Sequence, residues 1–185
     1  MAKTLSNMLA LGTQAPWFSL FDVINNETFN LQSKLDFNGT VIMFICNHCP
    51  YVKHINRELI NLNNDFSSKR IQFIAINSND ITQYPEDSPE NMREVAIQEG
   101  YAFPYLFDET QEVARSYAAA CTPDFYLFDH NLILVYRGQL DDSRPGNHME
   151  VNGVYLRTAL NQLSSKQTIT VEQKPSMGCN IKWKQ

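Results

Sequence analysis

The sequence is short of positive charge. Its 185 residues carry 15 Lys+Arg against 20 Asp+Glu, a formal net charge of −5. A chain that gripped nucleic acid through its phosphates would show the opposite balance, so no nucleic-acid partner is expected. No apolar run approaches the roughly 20 residues of a membrane-spanning helix, so no membrane partner is expected either. Internal repeats and low-complexity linkers are absent, which excludes a solenoid and a disordered spacer. The start of the chain lacks a secretory pattern: Lys3 precedes a mixed stretch broken by Ser6 and Asn7, with no small-residue cleavage site after it. The expected location is therefore the cytoplasm. There the four cysteines would be reduced at rest, and a cysteine pair reads as catalytic or metal-binding before it reads as structural.

What is present is ordinary globular composition, 43% hydrophobic and 19% charged. A chain of this length folds as one domain and buries roughly 70% of its unfolded surface, so its core needs neither disulfide nor metal. Apolar strand-like runs alternate with helical patterns. Phe18 to Val23 and Thr28 to Gln32 alternate in polarity around Ile24-Asn25-Asn26-Glu27, a hairpin signature. Thr40 to Ile45 and Ile71 to Ile76 are continuous apolar runs, as expected of strands buried on both faces. Between them, Val52, Ile55, Leu59, Leu62 and Phe66 form one helical stripe over 50–66.

Ser88-Pro89 reads as an N-cap with proline at the first helical position, opening a helix that ends near Gly100. Asp108 and Gln111 sit in capping-box positions for a helix over 108–120. Asp124 to Asp129 and Leu132 to Arg137 read as a hairpin across His130-Asn131, and a last helix is predicted over 154–163. The fold class is therefore α/β: a three-layer sandwich with a mixed central sheet, helices on both faces and an N-terminal β-hairpin. The domain is expected over 1–165. A tail over 166–185 would pack on it through Met177 and Trp183.

The segment richest in chemistry is Ile45-Cys46-Asn47-His48-Cys49-Pro50-Tyr51, where a buried strand gives way to a helix. Pro50 at the first helical position makes Cys49 the N-cap. Free backbone N–H groups and the positive end of the helix dipole then favour thiolate over thiol, which lowers the Cys49 pKa. His48, and Lys53 if it folds back, could add positive charge. Three readings of the C-x-x-C compete. The cysteines could be inert core residues. They could be half of a zinc site completed by Cys121, Cys179 or a histidine, although no second C-x-x-C or H-x-x-x-H is present. They could be a redox pair, which the strand-to-helix placement favours, with no cofactor or metal required.

A second segment, Cys121-Thr122-Pro123-Asp124, places a proline just before a strand. Proline cannot donate to a central ladder, so it belongs at a strand entrance, either as an ordinary loop residue or with a cis bond. His130 and His148 read as loop residues, His54, one turn beyond Pro50, as facing solvent or else the site, and Tyr51 and Tyr126 as packing. Asp141-Asp142-Ser143-Arg144 reads as a turn closed by an Asp–Arg pair, or as a substrate or partner contact.

Together these segments resemble the thioredoxin fold, and within it the peroxiredoxin-like branch, the alkyl hydroperoxide reductase/thiol-specific antioxidant superfamily. Gly12-Thr13-Gln14-Ala15-Pro16-Trp17-Phe18-Ser19-Leu20 is similar to that family's G-x-x-A-P-x-F-x-L start. Thr40 to Ile55 takes the strand–active-site–helix position, and Cys121 to Asp129 takes the cis-proline loop that packs beside the active cysteine. The resemblance runs over 12–163, and the tail Pro175 to Lys184 is similar to the end of the group.

Residue by residue, the resemblance implies that Cys49 is the nucleophile. Val52 stands where thioredoxins carry their second cysteine. Cys46 stands where peroxiredoxins commonly carry a Thr or Ser that bonds the peroxide. Met43 replaces the buried acid of thioredoxins, leaving His48 or water to move the proton. The implied activity is peroxide reduction through a sulfenic acid on Cys49, resolved by Cys46, Cys121 or Cys179, with Arg137 as the candidate cation. The alternative is reduction or isomerisation of protein disulfides by Cys49 and Cys46, with the Thr122 backbone pairing to the bound peptide. A second alternative is a non-enzymatic module that binds a metal or a partner. The implied electron donor is of the thioredoxin or glutaredoxin type.

Overall fold

The computed structural model describes residues 3–31 and 36–185. A seven-stranded mixed sheet forms its centre, in the order β3 (Glu27–Asn30), β2 (Ser19–Asp22), β6 (Tyr105–Phe107), β5 (Ile71–Asn77), β4 (Gly39–Phe44), β8 (Asp124–Asp129) and β9 (Leu134–Gly138). The N-terminal hairpin, β2 (Ser19–Asp22) and β3 (Glu27–Asn30), closes one edge in antiparallel register. Gln32, at the end of the expected strand, lies outside the described residues. The middle strands, β4 (Gly39–Phe44) and β5 (Ile71–Asn77), are parallel and buried at every position, which is why both read as unbroken apolar runs. Helix α1 (Pro50–Ser67) connects them. Helix α2 (Pro89–Glu99) starts at Ser88, whose side chain accepts from Asn91 N–H, and ends at Gly100 in the left-handed conformation.

Strand alternation divides the core in two. Val41, Met43 and Ile45 face one cluster, with the α1 stripe, Met92 and Ala96 of α2, and Leu156, Ala159 and Leu160 of α4 (Val154–Ser164). Ile42 and Phe44 face the other, with Phe18, Tyr117, Tyr126 and Val113 of the short α3 (Glu112–Ser116). Among the described residues no helix is long and apolar enough to cross a membrane.

Several local expectations change. Strand β6 (Tyr105–Phe107) adds a parallel partner to β5. Helix α3 is much shorter than 108–120, because the buried Asp108 carboxylate accepts from Val113 N–H and Ala114 N–H and so caps the helix later. The Gln111 side chain does not close a capping box. It reaches Ser78 O and Lys182 O at 2.6 and 2.7 Å. Strand β8 (Asp124–Asp129) pairs with β9 (Leu134–Gly138) across a longer loop than His130-Asn131. Asp129 accepts from Asn131 N–H and Ile133 N–H there, and Leu132 takes a positive φ.

The tail is more than a pair of anchors. Its residues Met177–Asn180 form β10, sandwiched between β1 (Lys3–Leu5) and β7 (Cys121–Thr122) in a second, three-stranded sheet. Met177 and Trp183 are only partly covered, whereas Cys179 and Ile181 are buried. Just past β10, Ile181 N–H donates to Ala120 O and Lys182 N–H to Asn79 Oδ1, which ties this end of the strand to two loops.

Candidate active site

The carboxyl end of β4 runs through Ile45 and Cys46 into the N-terminus of α1. Asn47 fixes this turn: its N–H donates to Asp87 Oδ1 at 2.8 Å, its side-chain amide donates to Glu86 O, and its carbonyl accepts from Tyr105 O–H. Cys49 is the N-cap residue and Pro50 follows at the first helical position, as the local sequence requires. Thr122-Pro123 is cis. The turn and β10 bring the sulfurs of Cys46, Cys49 and Cys179 to the cis-proline loop at Thr122.

Cys49 Sγ lies 2.9 Å from Cys179 Sγ and 3.2 Å from Thr122 O. Cys46 Sγ lies 3.3 Å from Thr122 Oγ1, so Thr122 touches both cysteines of the turn. The Cys49 pKa is brought down to about 5, first by the hydrogen bond from Cys46, against the cost of burial, and then by Cys179, Thr122 and the Val52 N–H. At neutral pH Cys49 is therefore a thiolate. Its two neighbours are held as thiols: Cys46 well above its ordinary range, mainly by the bond it gives to Cys49, and Cys179 up to about 12, mainly by burial. The largest cause of activation is thus a neighbouring thiol, added to the helix N-terminus that the sequence suggests.

The remaining expected residues divide. Cys121 is buried with Sγ 3.7 Å from Pro123 O, and burial pushes its thiol up, so it is a core thiol beside the site. Lys53 is exposed on α1 and does not fold back onto Cys49. Arg137 stands opposite Tyr126 on β9, and so on the far face of the sheet, with its guanidinium bonded to Leu9 O and Gln173 Oε1. It is no cation for this site. His54 does not face solvent: its Nε2 is 2.6 Å from Ser143 Oγ. Arg144 makes no Asp–Arg pair. It donates to Asp141 O, Ser143 O and Gln139 Oε1, while the Asp141 carboxylate accepts from Ser143, Asn152 and Gly153 N–H.

That loop borders a cleft of about 20 Å³, together with Tyr51, Pro123, Ser176 and Met177, room for a water-sized guest.

Asp87, in the loop after β5, escaped sequence reasoning. Its carboxylate is fully buried, and Oδ2 sits 2.6 Å from His48 Nδ1 and 2.8 Å from Asn79 Nδ2. Burial alone would raise its pKa, but the bonds from His48, Asn79 and Asn47 N–H outweigh it and hold the carboxyl below its usual range. His48 is raised in turn, chiefly by Asp87. Donor atoms of Cys46, His48 and Asp87 all lie within 4.8 Å of one another. Three N–H donors already occupy the carboxylate, so the trio is a hydrogen-bonded network rather than a cation cage. The signal available in the sequence was positional: the loop after β5 opens at the same sheet end as the loop after β4.

A thiolate with two partner thiols at hand can open an O–O or S–S bond and close a disulfide afterwards. Such chemistry on this sheet defines a thiol oxidoreductase of thioredoxin-like fold. Residues 11–137 match the AhpC/TSA family, and the chain belongs to it. Over its whole length the chain is similar to a conserved protein from Geobacillus kaustophilus, at 58% identity over 97% of that chain and a TM-score of 0.97. It is similar over 98% of its length to a protein from Sinorhizobium meliloti 1021, at 42% identity over 98% of that chain and a TM-score of 0.95. A peroxidoxin, BcpB, from Mycobacterium tuberculosis shares the fold: 14% identity, 84% of this chain, 96% of that chain, TM-score 0.64. No curated protein matches the chain. The family match stops short of β10, whereas the similarity to the Geobacillus kaustophilus protein spans it.

Proposed function

We propose that the protein reduces peroxides in the manner of a peroxiredoxin, with Cys49 as nucleophile and Cys179 as resolving thiol. The Cys49 thiolate attacks one peroxide oxygen. The O–O bond breaks, sulfur is oxidised to sulfenic acid, and the second oxygen leaves as water or alcohol. The Cys179 sulfur then attacks Cys49 sulfur, and the sulfenic oxygen departs as water with the Cys179 proton. A dithiol donor of the thioredoxin or glutaredoxin type, in a reducing cytoplasm, returns both thiols.

The observation that carries this reading is the 2.9 Å approach of the two sulfurs, one a thiolate and the other a thiol. Bond formation needs a further approach of under 1 Å to reach about 2.05 Å. Reduction of protein disulfides by Cys46 and Cys49 is the second reading, supported by the contacts of both sulfurs with Thr122 beside the cis-proline. Against it, the Thr122 backbone already pairs with Cys179 of β10, which covers the edge a peptide would use. A small oxidant needs no such edge. The test is intact mass and disulfide mapping after one equivalent of hydrogen peroxide. Loss of two mass units with a Cys49–Cys179 bridge is expected, abolished in Cys49→Ser. No reaction with peroxide, together with reduction of insulin, would favour the second reading.

A further inference from the structure

Peroxide cleavage leaves a strongly basic oxygen, and something must protonate it. Met43, fully buried in the apolar cluster that also holds Cys46 and Cys49, offers no proton. At this end of the sheet a partly buried histidine, His48, is hydrogen-bonded to a fully buried carboxylate, Asp87. The ring nitrogen and the carboxylate are 2.6 Å apart, and the Asp87 side chain has no exposed surface. Asn47 N–H and Asn79 Nδ2 lock the carboxylate in place, and Tyr84 stacks on the imidazole with centroids 5.1 Å apart. His48 Nε2 is buried and has no hydrogen-bond partner, so the proton it carries in the imidazolium is not committed elsewhere. A donor atom of the pair reaches to within 4.8 Å of Cys46 sulfur, and Cys46 and the nucleophile both contact Thr122, at 3.3 and 3.2 Å. A side-chain rotation or one water spans that gap.

Resting on the peroxide-reducing reading, we infer that His48 and Asp87 form a proton relay that acts through Cys46 on the leaving oxygen. The Cys49 lone pair forms the S–O bond, and the O–O pair moves onto the far oxygen. That oxygen takes the Cys46 proton and leaves as water or alcohol. Cys46 regains a proton from the His48 imidazolium, and Asp87 stays a carboxylate throughout. The products are a sulfenic acid on Cys49 and a neutral imidazole, which solvent recharges. Cys46 touches the reacting atoms, whereas His48 and Asp87 are positioning residues. The groups facing His48 are Asp87 and Glu86 from the loop after β5, which favour its charge, Lys182 from the tail, which opposes it, and the Tyr84 ring.

The test is leaving-group dependence. Hydrogen peroxide must expel hydroxide and needs the proton, whereas peracetic acid expels acetate and needs it far less. Sulfenic acid formation is followed by stopped flow in the full chain and in His48→Gln, across pH. His48→Gln should slow the hydrogen peroxide reaction by about 100-fold, the size of a general-acid contribution. The loss with peracetic acid should be at least tenfold smaller. The alkaline limb of the wild-type pH profile should vanish in His48→Gln and move to lower pH in Asp87→Asn. Where Asp87→Asn does not fold, His48→Gln alone decides. Equal losses with both oxidants, or no loss with either, would overturn the relay while leaving peroxide reduction intact. A wild-type protein inert to both oxidants would remove the peroxide reading itself, and the relay with it.

Discussion

Cys179 faces Cys49 at 2.9 Å although 130 residues separate them in the chain. The pairing of Cys179 with Thr122 across β10 and β7 sets this contact, since Thr122 is the residue that also touches both Cys46 and Cys49. Replacing Cys179 with serine should leave attack on peroxide in place and remove the bridge. Intact mass should then show a gain of oxygen on Cys49, progressing to sulfinic acid with excess peroxide, instead of a loss of two mass units.

Cys46 has a second role that is separable from any relay. Its hydrogen bond is the largest influence lowering the Cys49 pKa. In Cys46→Ala that thiol is gone while burial still favours the protonated form, so the pKa should climb above about 5. The pH dependence of iodoacetamide alkylation reads this directly. In the wild type, alkylation should stay near its plateau at neutral pH and fall as the pH drops through about 5. An unchanged midpoint in the variant would show that the helix N-terminus and the other donors suffice.

The fit of β10 depends on Gly178. A Cβ there would stand 1.9 Å from Thr122 O and 2.6 Å from Thr122 C, both backbone atoms that cannot swing aside. Gly178→Ala should therefore lift the strand, at a cost of about 1–3 kcal/mol. The yield of Cys49–Cys179 bridge per peroxide should drop, and Cys49 should alkylate several-fold faster because its cover is loosened. A normal bridge yield would mean that the two sulfurs meet without this strand pairing.

The elements legible in the sequence are those whose signals are local. Unbroken apolar runs marked β4 and β5, a stripe at helical spacing marked α1, and Ser88-Pro89 with Gly100 marked both ends of α2. Strands β1, β7 and β10, of four residues or fewer, exist only through partners far away in the chain, and no periodicity reports them. The N-cap position of Cys49 is legible because proline after cysteine marks the first helical position. Lys53 and Arg137 were misjudged because closeness in sequence, or a place at a strand end, says nothing of which face a side chain takes. Asp87 was missed for the converse reason: its tie to Asn47 and His48 spans 40 and 39 residues.

Asp124 offers a test of stability against pH. Its carboxylate is buried beneath the cis-proline loop, accepting from Tyr126 O–H at 3.0 Å and Phe125 N–H at 3.1 Å. Burial outweighs these bonds and raises its pKa to about 7. The folded state therefore keeps a proton that the unfolded chain releases near pH 4. Its contribution is complete below that pH and is lost as the pH rises towards 7, at a slope of about 1.4 kcal/mol per unit. Cys49 works in the opposite sense: its lowered pKa adds stability as the pH rises from about 5 towards its unfolded value. Wild-type stability alone would mix the two, so the informative quantity is the difference between wild type and Asp124→Asn in urea melts at pH 5 and pH 8. The asparagine keeps an acceptor and cannot ionise, so the difference should shift in favour of the variant by about 1–3 kcal/mol between those two pH values. A difference independent of pH would mean that Asp124 ionises in the fold at its ordinary pKa.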